Sequence, residues 1–245
     1  MQIHTHLSYF PHQADGREIT VTAKQRHITH VIYDMDGVLL DTEPFYTEVT
    51  QQIVQQHGKT FTWALKSQMM GRKPLDAAKI LVDALELPIT AEEYLISREP
   101  LLDALFLTAQ PLQGAQTLTR HLHQQGIPQA VATSTPHAKF LLKTHAHQTW
   151  FTVFNTIITG DNIAVKQGKP APDIFLAAAN ALQADPAHCL VFEDALVGVE
   201  AAKAAGMHVV AIPALALDKT LFATADAVLN QMGEFRPELW GLPAF

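Results

Sequence analysis

The stretch Val31-Ile32-Tyr33-Asp34-Met35-Asp36-Gly37-Val38-Leu39-Leu40-Asp41-Thr42-Glu43 decides how this chain folds. It opens as the end of a short apolar, β-branched run from Ile28 to Tyr33, the pattern of a buried strand. Two carboxylates, Asp34 and Asp36, follow at the strand's carboxyl end. Gly37 comes next, where the backbone must turn sharply. In an open parallel sheet, ligands bind beyond the carboxyl ends of the strands. Two acids released there by a glycine read as a site. A plain turn uses the same residue types for local reasons. A calcium loop of the EF-hand kind does not fit, because it closes with Glu at its twelfth position, and the twelfth residue from Asp34 is Phe45.

Composition bounds what such a site can serve. The 245 residues are 48% hydrophobic, enough for one elaborated domain or two unequal ones. With 17 basic against 24 acidic residues and a net charge of −7, the chain has no electrostatic footprint for a nucleic acid polymer or an anionic membrane. A small anion can still be held at a locally positive point. The single cysteine, Cys189, lies in the apolar run Cys189-Leu190-Val191-Phe192. An internal disulfide is therefore excluded, and Cys189 reads as a small buried hydrophobe in a protein of a reducing compartment. No apolar run approaches the ~20 residues of a membrane span, and Met1 to His27 lacks the apolar core of a signal peptide. A cytoplasmic protein, monomeric or weakly dimeric, is the expectation.

Residues 1–27 read as an N-terminal extension without assigned function. His4 and His6 lack the further ligands a metal site needs, and Glu18 to Thr22 has the pattern of a short strand. Residues 42 to about 110 carry helical spacing and no strand signal. Phe45, Val49, Ile53 and Val54 lead to a stop at Gly58. A second helix runs through Trp63, Leu65 and Met69, and a third has Ala77, Ile80, Leu81 and Leu85 on one face. Thr90 with Glu93 is a capping box before the face of Tyr94, Leu101 and Leu105. From Pro111 the rhythm alternates. Helices are expected over 114–125, 137–149, 172–182 and 195–205, and strands over 129–132, 154–159, 188–192, 208–212 and 225–229. Such alternation means crossover helices on a parallel sheet, an α/β fold.

Four polar clusters follow strands of that sheet: Asp34/Asp36, Thr133/Ser134, Glu193/Asp194, and Lys169 in the loop after 154–159. In a parallel sheet those ends share one edge, so residues up to 160 positions apart can meet. Their chemistry fits phosphoryl transfer. A carboxylate attacking a phosphate dianion meets like charge, which a divalent cation offsets, and Mg²⁺ favours carboxylate oxygens with several retained waters. Asp34, Asp194 and the Asp36 carbonyl can supply ligands, with Glu193 direct or through water. Lys169 adds fixed positive charge and Thr133 a hydroxyl for the phosphoryl oxygens. Asp36 is then free to protonate the leaving oxygen and later deprotonate water. Lys166 is a rival for Lys169, but Pro170 and Pro172 restrict the backbone presenting Lys169.

These residues resemble the haloacid dehalogenase superfamily. DMDGVLLDTE is similar to its first motif, VATS to its second, GKPAPDIF to its third, and VFEDALVGVEAAKAAGM to its fourth. The resemblance spans about residues 28–245. It implies a Rossmann-like doubly wound core over 28–41 and 111–245, with a helical cap inserted over 42–110. It also implies Asp34 as nucleophile, Asp36 as general acid/base, Thr133 and Lys169 as phosphoryl binders, and Asp34, Asp36 and Asp194 around Mg²⁺. The second aspartate, Asp36, points to phosphatase and phosphomutase members rather than dehalogenating ones.

Within the superfamily the chain most resembles the pseudouridine-5′-phosphatase-like branch, through FTWALKSQMMGRKPLDAAKIL, HGKPAPDIFLA and FRPELWGLP. It is more distantly similar to β-phosphoglucomutase, whose cap histidine is replaced here by Tyr46. The expected activity is hydrolysis of a small phosphate monoester, nucleotide-like or a sugar phosphate. Glu193 joins the metal set, while Gly37, Ser134 and Arg72 of the cap loop Met70-Gly71-Arg72-Lys73 contact the substrate. A phosphomutase and a non-catalytic binding protein on the same scaffold stand as the alternatives.

Overall fold

Val31 and Tyr33 point to one side of their strand and Ile32 to the other, and all three are fully buried. A strand apolar on both faces demands cover on both faces, which crossover helices provide. The computed structural model describes residues 27–69, 72 and 74–245. His4, His6, the expected strand at 18–22, and Met70, Gly71 and Lys73 of the cap loop lie outside the described residues. Among the described residues the first elements are β1 (His30–Tyr33) and β2 (Leu40–Asp41). Four helices follow, α1 (Glu43–Gln55), α2 (Trp63–Met69), α3 (Pro74–Leu85) and α4 (Ala91–Phe106), and then β3 (Gln110–Pro111). The alternating part comprises α5 (Ala115–Gln124), β4 (Gln129–Ala132), α6 (His137–Lys143), α7 (Gln148–Phe151) and β5 (Thr156–Ile158). It continues with α8 (Asp173–Ala181), β6 (Cys189–Glu193), α9 (Leu196–Ala204), β7 (His208–Ala211) and β8 (Ala227–Val228).

Among the described residues six strands pair in parallel in the order β5-β4-β1-β6-β7-β8. The chain builds outward from β1 to one side through β4 and β5, then crosses to the other through β6, β7 and β8. The order therefore reverses at β1, and the crevice past its carboxyl end is where such sheets bind ligands. One core packs Val31, Tyr33 and Phe192 against α5 and α7, and the other packs Ile32 and Val191 against α8 and α9. Among the described residues no helix is long and apolar enough to cross a membrane.

The four helices α1 to α4 form a core of their own around Val49, Ile53, Leu81, Tyr94, Leu102 and Phe106. The buried ridge of α4 differs from the expected face of Tyr94, Leu101 and Leu105. Positions 94, 98, 102 and 106 line one side at i, i+4 spacing, which leaves Leu101 and Leu105 half-buried on the flank. In α3, likewise, Ala78 and Leu81 are buried while Ala77, Ile80 and Leu85 are half-buried. The expected capping box is present: Thr90 Oγ1 accepts from Glu93 N at 3.1 Å, and Glu93 Oε2 accepts from Thr90 N at 2.7 Å. Thr90→Ala should therefore cost about 1 kcal/mol. Urea unfolding would show the lowered midpoint at unchanged slope.

Two elements depart from the expected pattern. The chain leaves the sheet and returns through a two-residue antiparallel ladder, Leu40 opposite Pro111 and Asp41 opposite Gln110. Pairs that short have no periodicity to read. The helix expected over 137–149 breaks after Lys143 into a 3₁₀ turn at His145–His147 and then α7. Thr144 accounts for the break. Its hydroxyl bonds back to Phe140 O at 2.8 Å and its backbone (φ −96°, ψ 1°) has left the helical region.

Candidate active site

β1 delivers Asp34 to the crevice, 7% exposed, with its backbone N–H donating to Phe192 O across to β6. Lys169 Nζ donates to Asp34 Oδ1 at 2.5 Å and to Glu193 Oε1 at 2.6 Å, and lies 4.8 Å from the centre of the Phe175 ring. The lysine side chain is only 6% exposed. Burial alone would lower its pKa, but the charges of Asp34 and then Glu193 outweigh that and hold it above the usual value. Burial pushes Asp34 up to about 7; Lys169 opposes the shift, and Glu193 and Asp36 add to it. Lys166, the rival lysine, is exposed in the loop.

Glu193 is held from both sides. Its Oε2 accepts the backbone N–H groups of Asp194 and Ala195, each at 2.9 Å, at the start of α9. Gly198 makes room for it, since a Cβ there would overlap the Glu193 carboxylate. Asp194 has the opposite character: no described donor is hydrogen-bonded to its carboxylate. Burial, followed by the charges of Glu193 and Asp34, drives its pKa well above the usual value. Gly37, with φ of 78°, turns the chain beneath it, and a Cβ at Gly37 would overlap Asp194 Oδ2.

Asp36 sits in a second cluster. Oδ1 accepts from Thr42 Oγ1 at 2.5 Å and from Lys143 Nζ at 2.7 Å, while Oδ2 accepts from Thr135 Oγ1 at 2.7 Å. Lys143, Thr135 and Thr42 are absent from the sequence-derived site. Lys143 hides inside the helical run Phe140-Leu141-Leu142-Lys143, and only its burial, 3% exposed, sets it apart. Thr135, two residues beyond Thr133, had a signal in its place at the same strand end.

One cavity of about 440 Å³ is walled by Thr42 and Thr135, by Glu43 and Tyr46 of α1 and by Val197 of α9; Lys143 lies behind Asp36, outside its lining. Asp34, Asp36, Gly37, Thr133, Ser134, Lys169, Glu193 and Asp194 all reach it. Thr133 is buried, and its Oγ1 accepts from Thr135 N at 3.1 Å. Ser134 is exposed at the rim. Arg72 does not line the cavity: it stands exposed after α2, its Nε donating to Gln68 O at 2.8 Å.

Among the described residues no three His, Cys, Asp or Glu side chains form a cluster that could hold a metal ion alone. The donors at hand are hard oxygens. Asp194 has no described hydrogen-bond donor, Asp34 has one ammonium on one oxygen, and burial raises the pKa of both. Such a sparse oxygen set fits an ion that keeps several waters, as Mg²⁺ does.

Comparison with known proteins agrees with this fold. A family model described as haloacid dehalogenase-like hydrolase matches residues 28–206. An Arabidopsis thaliana protein named (DL)-glycerol-3-phosphatase 1, mitochondrial, is 48% identical over 241 residues, covering 96% of this chain and 81% of that one. A Drosophila melanogaster protein named probable pseudouridine-5′-phosphatase is 42% identical over 223 residues, covering 90% and 96%. Among solved structures, a Thermotoga maritima protein provisionally described as β-phosphoglucomutase superposes with a TM-score of 0.72 at 30% identity, covering 87% of this chain and 97% of that one. The chain belongs to the haloacid dehalogenase-like hydrolase family, and it is an enzyme, a phosphatase of that family.

Proposed function

We propose that this phosphatase hydrolyses small phosphate monoesters with Mg²⁺, through an aspartyl-phosphate on Asp34. The observation that carries the reading is the pairing of a buried Asp34 with Lys169 at 2.5 Å, with Asp36 on the same cavity wall. Mg²⁺, when bound, supplies positive charge that offsets the repulsion between carboxylate and phosphate. Asp34, Asp194 and the Asp36 carbonyl would hold it, with Glu193 direct or through water. Lys169 and the Thr133 hydroxyl hold the phosphoryl oxygens, and Ser134 and Gly37 contact the substrate at the rim and floor.

In the first step Asp34 Oδ forms a bond to phosphorus, the bond to the leaving oxygen breaks, and Asp36 gives that oxygen its proton. In the second, water attacks phosphorus, Asp36 takes the water's proton, and Asp34 is released with free phosphate. Residues 42–110 act as a cap that excludes bulk water between the steps, with Arg72 approaching the substrate when the cap moves.

The substrate is a nucleotide-like or sugar phosphate. Pseudouridine 5′-phosphate and glycerol 3-phosphate, the compounds in the relatives' names, head the panel to be tested. Phosphate release should be lost on chelation by ~10²-fold or more, since the cation is worth several kcal/mol. A mutase is the second reading, favoured by the likeness to the Thermotoga maritima protein and opposed by Tyr46. An isomerised sugar phosphate without free phosphate would decide for it. The single buried Cys189 supports a reducing compartment such as the cytoplasm, which cell fractionation tests.

A further inference from the structure

Lys143 is a buried cation with no part in the mechanism above. It comes from α6, its side chain is 3% exposed, and no described phosphoryl-binding group touches it. Its ammonium donates to Asp36 Oδ1 at 2.7 Å and to Thr135 Oγ1 at 3.0 Å. On its other side lie two rings of the helical unit, Phe106 with its centre 4.5 Å away and Tyr46 at 5.9 Å. A desolvated ammonium held over an aromatic face is attracted to it, so the lysine is fixed from both sides.

The three donors to Asp36 are unequally shared. Among the described residues, Thr42 and Lys143 both bond Oδ1, whereas Oδ2 meets only the Thr135 hydroxyl. A hydroxyl rotates between donating and accepting, and an ammonium cannot. Oδ1 is therefore the anchored oxygen and Oδ2 the one able to carry a proton.

We propose that Lys143 is a positioning residue: it anchors Asp36 through Oδ1 so that Oδ2 faces the leaving oxygen, and Phe106 of α4 keeps the lysine in that place. The inference rests on Asp36 being the proton carrier of the proposed hydrolysis. The proton passes from Asp36 Oδ2 to the leaving oxygen as its bond to phosphorus breaks, and Lys143 itself exchanges none.

Leaving-group dependence separates this role from a structural one. An alkyl phosphate expels a poor leaving group and needs the proton, whereas p-nitrophenyl phosphate expels a good one and needs it little. Wild type, Lys143→Met, Phe106→Leu and Asp36→Asn would be compared on p-nitrophenyl phosphate and on the alkyl phosphate the wild type turns over fastest. Lys143→Met should lower kcat on the alkyl phosphate by about 10²-fold, with KM little changed and a far smaller loss on p-nitrophenyl phosphate. Phe106→Leu should show the same selectivity at smaller amplitude, and it serves alone if Lys143→Met does not fold.

Equal losses on both substrates, or no loss, in the lysine and phenylalanine variants overturn the proposal while Asp36→Asn remains selective. An Asp36→Asn variant without selectivity overturns it at the earlier step, by removing Asp36 as the acid.

Discussion

Asp34→Asn should leave a folded protein whose steady-state turnover has fallen by about 10⁴-fold or more, the scale seen when a covalent nucleophile is removed. The same substitution should stabilise the metal-free protein near pH 8. Asp34 is raised from 3.8 to about 7 chiefly by burial. The folded state therefore holds this proton over a pH range where the unfolded chain has released it. Stability from the group is then fully present below about pH 4 and is lost as pH rises towards 7. Asparagine has no such loss and keeps a carbonyl oxygen for Lys169, which retains Glu193 at 2.6 Å. A gain of about 1 kcal/mol, or about 2–4 °C, is expected at pH 8 with chelator present, shrinking towards zero at pH 4. Thermal melts of both proteins across that range test it. A variant less stable than wild type at pH 8 would mean that the ion pair, not the burial of Asp34, dominates the site. Turnover within tenfold of wild type would remove Asp34 as nucleophile.

The parts of the candidate site that are readable in sequence are those whose residue chemistry and local geometry coincide. Asp34, Asp36 and Gly37 sit together because a strand end, a turn and a close approach to Asp194 all fall within four residues. Glu193 and Asp194 follow β6 in the same way, and parallel topology brings both pairs to one edge. Lys169 was separable from Lys166 because prolines bracket it, and the structure buries the first and exposes the second.

What escaped depends on rotation about a helix or on long-range approach. Lys143 belongs to a run with apolar residues on both sides of the helix, so nothing local marks it as facing Asp36 rather than water. The buried ridge of α4 differs from the expected one by a single residue because Leu101-Leu102 and Leu105-Phe106 are doublets. Either member satisfies helical spacing, and Tyr94 decides through its bond to Thr50 across the bundle (2.8 Å). Arg72 has the right charge, but it stands outside the cavity of this arrangement. The β2–β3 ladder is two residues long on each side, below the length at which alternation carries information.

Lys169→Met should have the largest effect on stability of any single change in the site. It removes the one ammonium shared by Asp34 and Glu193 while keeping most of the side chain's volume, so the loss is electrostatic rather than a cavity. Breaking a buried pair from one side costs about 3–5 kcal/mol, because the remaining charge is left without compensation. Here two carboxylates are stranded. The expected fall in the melting midpoint is on the order of 10 °C at pH 8, with phosphate release down by about 10²–10³-fold.

The cost should depend on pH in a definite direction. Without the lysine, Asp34 is pushed further above its present value of about 7, so the variant still holds that proton at pH 8, where the wild type has released it, and keeping it costs more stability the further the pH rises above the unfolded carboxyl value. The gap between wild type and variant should therefore widen from pH 5 to pH 8; a gap independent of pH would assign the loss to packing around Phe175 instead. The double variant Lys169→Met/Asp34→Asn supplies the cross-check. It removes one of the two stranded carboxyls and should recover more stability at pH 8 than the ~1 kcal/mol that Asp34→Asn adds on its own, while remaining inactive. If it is instead as unstable as the sum of the two single effects, Asp34 and Lys169 are not coupled. The 2.5 Å contact between them would then contribute nothing to holding the site together.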